Sequence, residues 1–185
     1  MAGVFALNYA VRSAGRAVTG LRMNTSLTLL ALSAVMTGNM SAEEPASGKA
    51  GSAAVVKVVQ EFFDALHAKD GARLRATCQP GAQVTSGRPT KEGFAVRQRS
   101  AETDATHTQE SKDTFLERMW APTVHVEGRI AVLWTRYDFH LNEKFSHNGT
   151  DCFTLLKTDQ GWKIASCVYS VEPAAGTENP AGPPR

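Results

Sequence analysis

The apolar residues of the first predicted element follow the repeat of a helix. Between residues 53 and 68 they recur every three or four positions, at Val55, Val58, Val59, Phe62 and Leu66. Polar residues fill the intervening positions, so the pattern predicts one amphipathic helix over 53–68. Asp70 can cap a short second helix over 71–78, which Pro80-Gly81 ends. Residues 100–112 are polar and fit either a solvated helix or a loop.

From residue 114 onward the pattern changes to extended, β-rich runs. These runs are TFLERMW, ending at Pro122, then TVHVEG, RIAVLWTRYDFHLN, KFSHNGTDCFTLLK and WKIASCVYSV. The short connections between them, among them Asn142-Glu143 and residues 158–161, indicate hairpins and hence an antiparallel meander. Residues 82–86 and 94–98 are further short strands. Helices followed by strands predict an α+β fold, with the first helix lying on a curved antiparallel sheet.

The two ends of the chain lack this periodicity. Residues 1–26 carry three arginines and no acid, and the apolar run 27–35 is followed by small residues up to Ala42. This order is typical of a secretory signal, and the run is shorter than the roughly 20 residues that span a bilayer. We expect residues 1–42 to be a signal peptide or leader of a periplasmic or secreted protein; the alternative is an amphipathic or wrongly assigned leader. A linker over 43–52, one domain over 53–172 and a disordered tail over 173–185 complete the prediction.

Composition and charge narrow the possible functions. Hydrophobic residues make up 42% of the chain and charged residues 21%, which excludes a disordered or polytopic membrane protein. The net charge is +2, and without the three leader arginines it is −1. No stripe of clustered Lys and Arg is present, so nucleic acid is not an expected partner. The five histidines show no metal-ligand spacing, so no metal or other cofactor is predicted.

The run from Val132 to Ile164 resembles the nuclear transport factor two-like (SnoaL-like) superfamily, in particular its bacterial branch described as "putative lumazine-binding". The matching positions are Trp134, Tyr137, Asp138, Phe139, Phe145, Ser146, His147, Gly149, Asp151, Phe153, Gly161, Trp162, Lys163 and Ile164, with Phe115-x-Glu117-Arg118 upstream. Arg136 and Asn148 stand where the family usually has proline and cysteine. The resemblance implies a cone-shaped α+β barrel, in which a bent sheet wraps around the helices and leaves a pocket at its open end. The superfamily contains proton-transfer enzymes with His/Asp sets inside the cone and also many non-enzymes.

Turn lengths predict a strand register, and alternation then sorts the side chains onto two faces. If Asn142-Glu143 is a two-residue turn, Asp138 pairs with His147 and Trp134 pairs with Asp151. If 158–161 is a four-residue turn, Leu155 pairs with Ile164 and Phe153 pairs with Ser166. One face then collects Val132, Trp134, Arg136, Asp138, His140, Phe145, His147, Asp151, Phe153, Leu155, Trp162, Ile164 and Val168. We assign it to the concave interior, because it combines apolar residues with a polar cluster as a small-molecule site does. A one-residue bulge would exchange the faces.

The polar cluster on this face has a chemical and a structural interpretation. In the chemical one, His147 carries protons while Asp138 fixes its tautomer and raises its pKa. Trp134 would stack on a flat ligand, which Arg136, Asp151 and Phe153 would also contact. In the structural one, the charges only neutralise one another at the rim.

Three functions remain open on this basis. The first is an exported domain that binds a small, partly apolar molecule without a defined reaction. The second is a proton-transfer enzyme of isomerase, dehydratase or cyclase type, with His147 and Asp138 as the catalytic pair. The third is a structural or protein-interaction module that acts through the outer sheet face.

The opposite face is predicted to lie outside. It would carry Leu133, Tyr137, Phe139 and Tyr169, which favours a homodimer of stacked sheets over an ordinary surface. Cys152 and Cys167 fall directly opposite one another on neighbouring strands. They could pair in an oxidising compartment, but cross-strand disulfides are strained, so free thiols are favoured.

Overall fold

The computed structural model describes residues 46–172 and 176–184. Its elements are α1 (Ala46–His67), α2 (Gly71–Thr77), β1 (Cys78–Thr90), β2 (Gly93–Ser100), α3 (Ala101–Glu110), β3 (Phe115–Glu127), β4 (Ile130–Leu141), β5 (Lys144–Thr158) and β6 (Gly161–Ser170). The strands form one curved sheet in the order β2-β1-β6-β5-β4-β3, antiparallel except for β1 and β6. The predicted α+β fold is therefore confirmed. The predicted signal peptide lies outside the described residues.

The helices lie where the sequence predicts them, with one difference in length. Helix α1 begins at Ala46, inside the predicted linker and ahead of its predicted start at residue 53. The Asp70 side chain caps α2 by accepting a hydrogen bond from the Arg73 backbone nitrogen at 3.0 Å. Residues 101–110, which the sequence leaves undecided, form α3 behind the cap Ser100. None of the helices in the described ranges is long and apolar enough to span a membrane.

Two bulges decide which side chains face α1. The turn at Asn142-Glu143 forms as predicted, with φ values of 51° and 66°, and His140 pairs with Phe145. The next pair is Phe139 with His147, so Ser146 is an extra residue and every later pair shifts by one.

The second bulge lies between β5 and β6. Leu155 pairs with Ile164 as predicted, but Thr154 pairs with Ser166, which leaves Ala165 as the extra residue. Phe153 consequently pairs with Cys167 rather than with Ser166.

The predicted interior face is therefore only half correct. Side chains on the concave face, toward α1, are Leu133, Tyr137, Phe139, His147, Asp151, Phe153, Leu155, Ile164, Cys167 and Tyr169. Those on the convex face are Trp134, Arg136, Asp138, His140, Phe145, Cys152 and Val168. Cys152 and Cys167 thus lie on opposite faces, which excludes a disulfide between them, and all three cysteines are free thiols, as the sequence analysis favours.

Residues 176–184 pack against the convex face above β3 and β4. The Thr177 hydroxyl donates to the Asp138 carboxylate, and the Arg118 guanidinium donates to the Gly182 carbonyl at 2.7 Å. Arg136 bonds to Glu178 at 2.6 Å. The segment lies within the predicted disordered tail over 173–185, and its hydrogen bonds reach the buried Asp138 carboxylate and two partly exposed arginines.

Candidate functional site

A cavity of about 440 Å³ lies between the concave face of the sheet, the helices and the β1–β2 hairpin. We call it the hollow. Its walls are largely aromatic and are formed by Phe62, Phe63, Phe115, Phe139, Tyr137, Phe153 and Tyr169. Its volume falls within the range of small-molecule sites. A wider surface groove of about 970 Å³ runs beside α1 and Trp162, but none of the ionisable residues that line it is buried. The hollow is therefore the candidate site.

A pair of carboxyl groups lies in the hollow, Glu117 from β3 and Asp151 from β5. The two carboxyl groups lie close enough to influence each other's pKa, and a hydrogen bond between two carboxyl groups requires that one of them holds a proton. Burial raises the pKa of Glu117 to about 8. Burial, and then the charge of Glu117, also raise the pKa of Asp151. The pair therefore retains a proton at neutral pH and offers a donor and acceptors side by side.

The position of Asp151 is set by the β5 register. This residue is 1% exposed, and its Oδ2 atom has no hydrogen-bond partner among residues 46–172 and 176–184. A buried polar atom without a partner is costly unless a ligand or water satisfies it. Asp151 is therefore poised to contact a molecule in the hollow.

Tyr137 forms a fixed wall of the hollow. Its ring is 1% exposed, and its hydroxyl donates to the Ser170 carbonyl at 2.8 Å. Gly149, the residue paired with Tyr137 on β5, leaves room for this bond. An added Cβ atom would collide with the Ser170 carbonyl oxygen and lie 2.9 Å from Cε1 of Tyr137. The glycine therefore allows the tyrosine ring to reach across β5 to β6.

His147 lies half-buried in the wall as a neutral imidazole. Its ring stacks on Phe139 with centroids 5.1 Å apart, and its Nδ1 atom is 3.0 Å from the Ser146 hydroxyl. Burial, with a smaller effect of Arg88, lowers the pKa of His147 to about 4. The predicted rise of this pKa is wrong, because Asp138 lies on the other side of the sheet.

Asp138 instead belongs to a satisfied ion pair on the convex face. It is 0% exposed and accepts two hydrogen bonds from the Arg118 guanidinium, one of them at 2.9 Å. The proposed catalytic pair of His147 and Asp138 is therefore not assembled. The shift at Ser146 is the physical cause.

Only some of the predicted ligand contacts lie in the hollow. Asp151, Phe153 and His147 line it. Trp134 is 56% exposed on the convex face, and Arg136 forms ion pairs there with Glu172 and Glu178. Neither can contact a molecule in the hollow.

The sequence reasoning missed Glu117, Tyr137, Tyr169 and Arg99, which also line the hollow. Alternation in β3 offered a signal for one of them, because it places Glu117 on the same face as Phe115 and Met119. A single acid between apolar neighbours is unusual on a buried strand face.

The rim of the hollow carries a third acid, Asp104, which is already paired. Arg99 donates to Asp104 at 2.9 Å, and the same guanidinium lies 3.4 Å from the Tyr169 hydroxyl. Within the part of the chain that the structure describes, no three His, Cys, Asp or Glu side chains converge as a metal site requires.

Comparison with known proteins agrees with this architecture. A family model described as "Putative lumazine-binding" matches residues 50–170. No curated protein matches. A nuclear transport factor 2-like superfamily protein from Salmonella enterica shares 17% identity, covers 71% of this chain and 97% of its own, and has a TM-score of 0.53. An NTF2-like protein from Novosphingobium aromaticivorans shares 13% identity over 69% and 86%, with a TM-score of 0.55. A protein from Streptomyces avermitilis described as a "putative dehydratase" shares 15% over 68% and 99%, at 0.54. Such likeness shows the fold alone.

Proposed function

The chain belongs to the family described as "Putative lumazine-binding", and from this premise we propose that it binds a small, flat, partly apolar molecule in the hollow. The observation that carries the proposal is the placement of two neighbouring carboxyl groups, Glu117 and Asp151, inside an aromatic cavity of about 440 Å³, where burial raises the pKa of both. The aromatic walls supply apolar contact area, and the carboxyl pair orients the ligand.

The carboxyl pair also suggests what the ligand presents to it. With one proton between them, the two groups offer a donor beside acceptors. This pattern is complementary to a ring edge with adjacent N–H and C=O groups. Heterocycles with such an edge, which include lumazine, are the proposed ligand class.

A titration with lumazine tests this proposal. We expect the double variant Glu117→Leu/Asp151→Leu to bind lumazine at least about tenfold more weakly, because hydrogen bonds to charged groups contribute about 1.5–3 kcal/mol. Apolar replacement of a whole buried polar pair usually keeps a protein folded. Trp134→Ala, on the convex face, is the matched control and should bind as the wild type does. Equal affinity of the double variant and the wild type would refute the proposal.

Native mass spectrometry of protein purified from its own host would identify the natural ligand. We expect a retained small molecule in the wild type and its loss in the double variant. A molecule retained equally by both proteins would place the binding site elsewhere.

A second candidate function is proton transfer on the bound molecule. The observation that favours it is that the carboxyl pair lies in the hollow with both pKa values raised by burial, so that the pair keeps a proton at neutral pH. One group can take a proton from the ligand while its neighbour returns one. The catalytic role that the sequence assigns to His147 and Asp138 moves in this proposal to Glu117 and Asp151.

Deuterium incorporation distinguishes the two candidates. In D₂O, an enzyme of isomerase type would place deuterium on carbon in the retained molecule, and Asp151→Asn would abolish this while keeping binding. If the wild type incorporates no deuterium on carbon, the protein binds without this chemistry.

The assembly and location of the protein are also proposals. Trp134 and Val168, 56% and 52% exposed, both neighbour Cys152 in one cross-strand row of the convex face. This row, rather than the predicted Tyr137 and Tyr169, would join two copies. Trp134→Glu should convert such a dimer to a monomer in light scattering. A module that acts only through its outer sheet face does not need an open hollow.

Export of the protein is tested by the mass of the mature N-terminus in periplasmic and culture fractions.

A further inference from the structure

Two arginines at the mouth of the hollow are not explained by the packing of the fold. Arg88 on β1 and Arg97 on β2 both line the hollow. Their strands pair so that Arg97 lies opposite Ser86, and Ser86 in turn lies beside Tyr169 of β6. Tyr169 pairs with Asp151. Arg97 therefore lies at the outer end of the cross-strand row that contains Asp151, whereas Glu117 lies in another row, with Phe139 and His147.

These guanidinium groups differ from the other arginine of the mouth. Arg99 is neutralised by Asp104. Among the residues that the structure describes, neither Arg88 nor Arg97 has a carboxylate within 4.0 Å, and both are exposed. An unpaired guanidinium beside an apolar cavity is a ready partner for an oxyanion.

The other ionisable groups of the hollow do not cancel the positive charge of Arg88 and Arg97. The carboxyl pair retains a proton, and His147 is neutral, partly because Arg88 lies near it. The mouth therefore has a net positive charge while the buried end carries acids. A negative group would be attracted at the mouth and repelled at the buried end.

We propose that the ligand of the hollow is an organic anion, whose oxyanion group binds Arg88 and Arg97 while its ring reaches Glu117 and Asp151. This inference rests on the proposed function and adds the charge and the orientation of the ligand. A guanidinium pairs with either a carboxylate or a phosphate through two parallel hydrogen bonds.

Three probes with the same ring test the proposal: 2-naphthoate, 2-naphthyl phosphate and neutral 2-naphthamide. Calorimetry gives the affinities, and NMR shifts of residues lining the hollow locate the bound probe. We expect at least one anion to bind about tenfold more tightly than the amide at low salt, with the preference shrinking as ionic strength rises. Whichever anion binds more tightly identifies the oxyanion.

Matched variants assign the preference to the two arginines. Arg88→Gln/Arg97→Gln should bind all three probes alike, with the affinity for the amide unchanged. Lys57→Gln/Arg73→Gln removes two cations from the helices outside the hollow and should keep the preference. Equal binding of anions and amide by the wild type, or a preference that survives in the arginine variant, overturns this inference alone. Absence of binding by every probe also overturns this inference, whereas the proposed function is decided separately by the lumazine titration.

Discussion

Asp138 and Asp151 are buried to the same degree, at 0% and 1% exposure, yet they lie on opposite faces of the sheet in opposite surroundings. Asp138, on the convex face, accepts hydrogen bonds from Arg118 and Thr177. Asp151, in the hollow, has another carboxyl group as its neighbour and one oxygen without a hydrogen-bond partner in the described ranges. Burial alone therefore does not identify a functional acid. The neighbouring group determines the role of a buried acid, because a guanidinium neutralises a carboxylate whereas a second carboxyl group keeps a proton available.

Removing Arg118, the ion-pair partner of Asp138, should lower the free energy of unfolding more than any other substitution. Arg118→Leu leaves a carboxylate buried without a cation, which typically costs about 3–5 kcal/mol. We expect the free energy of unfolding, measured with urea, to fall by this amount. Arg118→Leu/Asp138→Leu removes both charges and should cost less than the single variant. If the single variant is as stable as the wild type, Asp138 does not depend on its partner.

A smaller loss is expected from a change in the wall of the hollow. Gly149→Ala forces the Ser170 carbonyl and the Tyr137 ring apart, and overpacking of this kind costs about 1–3 kcal/mol. The matched control is Gly51→Ala in α1, where an added Cβ atom meets only Val126, at 3.5 Å. That substitution should stabilise the protein by about 0.5–1 kcal/mol, because alanine favours helix. The melting temperature should therefore fall for Gly149→Ala and rise for Gly51→Ala.

The carboxyl pair should make stability depend on pH. Since burial raises the pKa of Glu117 and of Asp151, the folded chain binds more protons than the unfolded chain above about pH 4. Stability should thus fall as pH rises toward about 8, the folded pKa of Glu117, with a slope of at most about 1.4 kcal/mol per pH unit for one proton. Asp151→Asn should flatten this slope in urea unfolding. An unchanged slope would mean that the pair does not titrate as described.

His147 gives the opposite slope in the acid range and separates the two effects. Its folded pKa of about 4 lies below its ordinary value of about 6.5, so its contribution is lost as pH falls between them. His147→Gln should remove this loss. The carboxyl slope is therefore best measured between about pH 7.5 and 8, well above the ordinary histidine pKa of about 6.5, where His147 is almost entirely neutral in both states.

The smallest difference between the two faces of the sheet should appear in the rates at which their thiols are labelled. Cys152 lies half-buried on the convex face, whereas Cys167 is 5% exposed and lines the hollow. Burial raises the pKa of both thiols, and that of Cys167 well above its ordinary value. Iodoacetamide should therefore modify Cys152 first, as read by peptide mass spectrometry, and a ligand should protect only Cys167. Faster modification of Cys167 would contradict the assignment of the two faces.

The fold could be predicted from the sequence because its signals are local. The repeat of Val55, Val59 and Phe62 predicted α1, and the two-residue turn at Asn142-Glu143 predicted the β4–β5 hairpin. The candidate site could not be predicted from the sequence, because the face on which each of its side chains lies depends on whether one strand holds one residue more than its partner. Ser146 and Ala165 carry no mark that distinguishes a bulge from a regular strand position.

The bulge at Ser146 made the predicted faces wrong for β4 but not for most of β5. Residues beyond Ser146 on β5, such as Asp151 and Phe153, kept their predicted face because the error fell on the β4 side of the pairing. Asp138 and Trp134 exchanged sides. Tyr137 was consequently predicted as an outer residue although it forms a wall of the hollow. A polar residue on a strand therefore needs an observed register before a role can be assigned to it.

The C-terminal segment over β3 and β4 makes the folding unit longer than the 50–170 region that the family model matches. A truncation at residue 170 would remove the Thr177 hydroxyl from Asp138 and the Gly182 carbonyl from Arg118, admitting water to an ion pair that is sealed in the full chain. A purification tag or fusion partner is accordingly best attached after residue 184, and a shortened protein should not be taken as a measure of the domain's intrinsic stability.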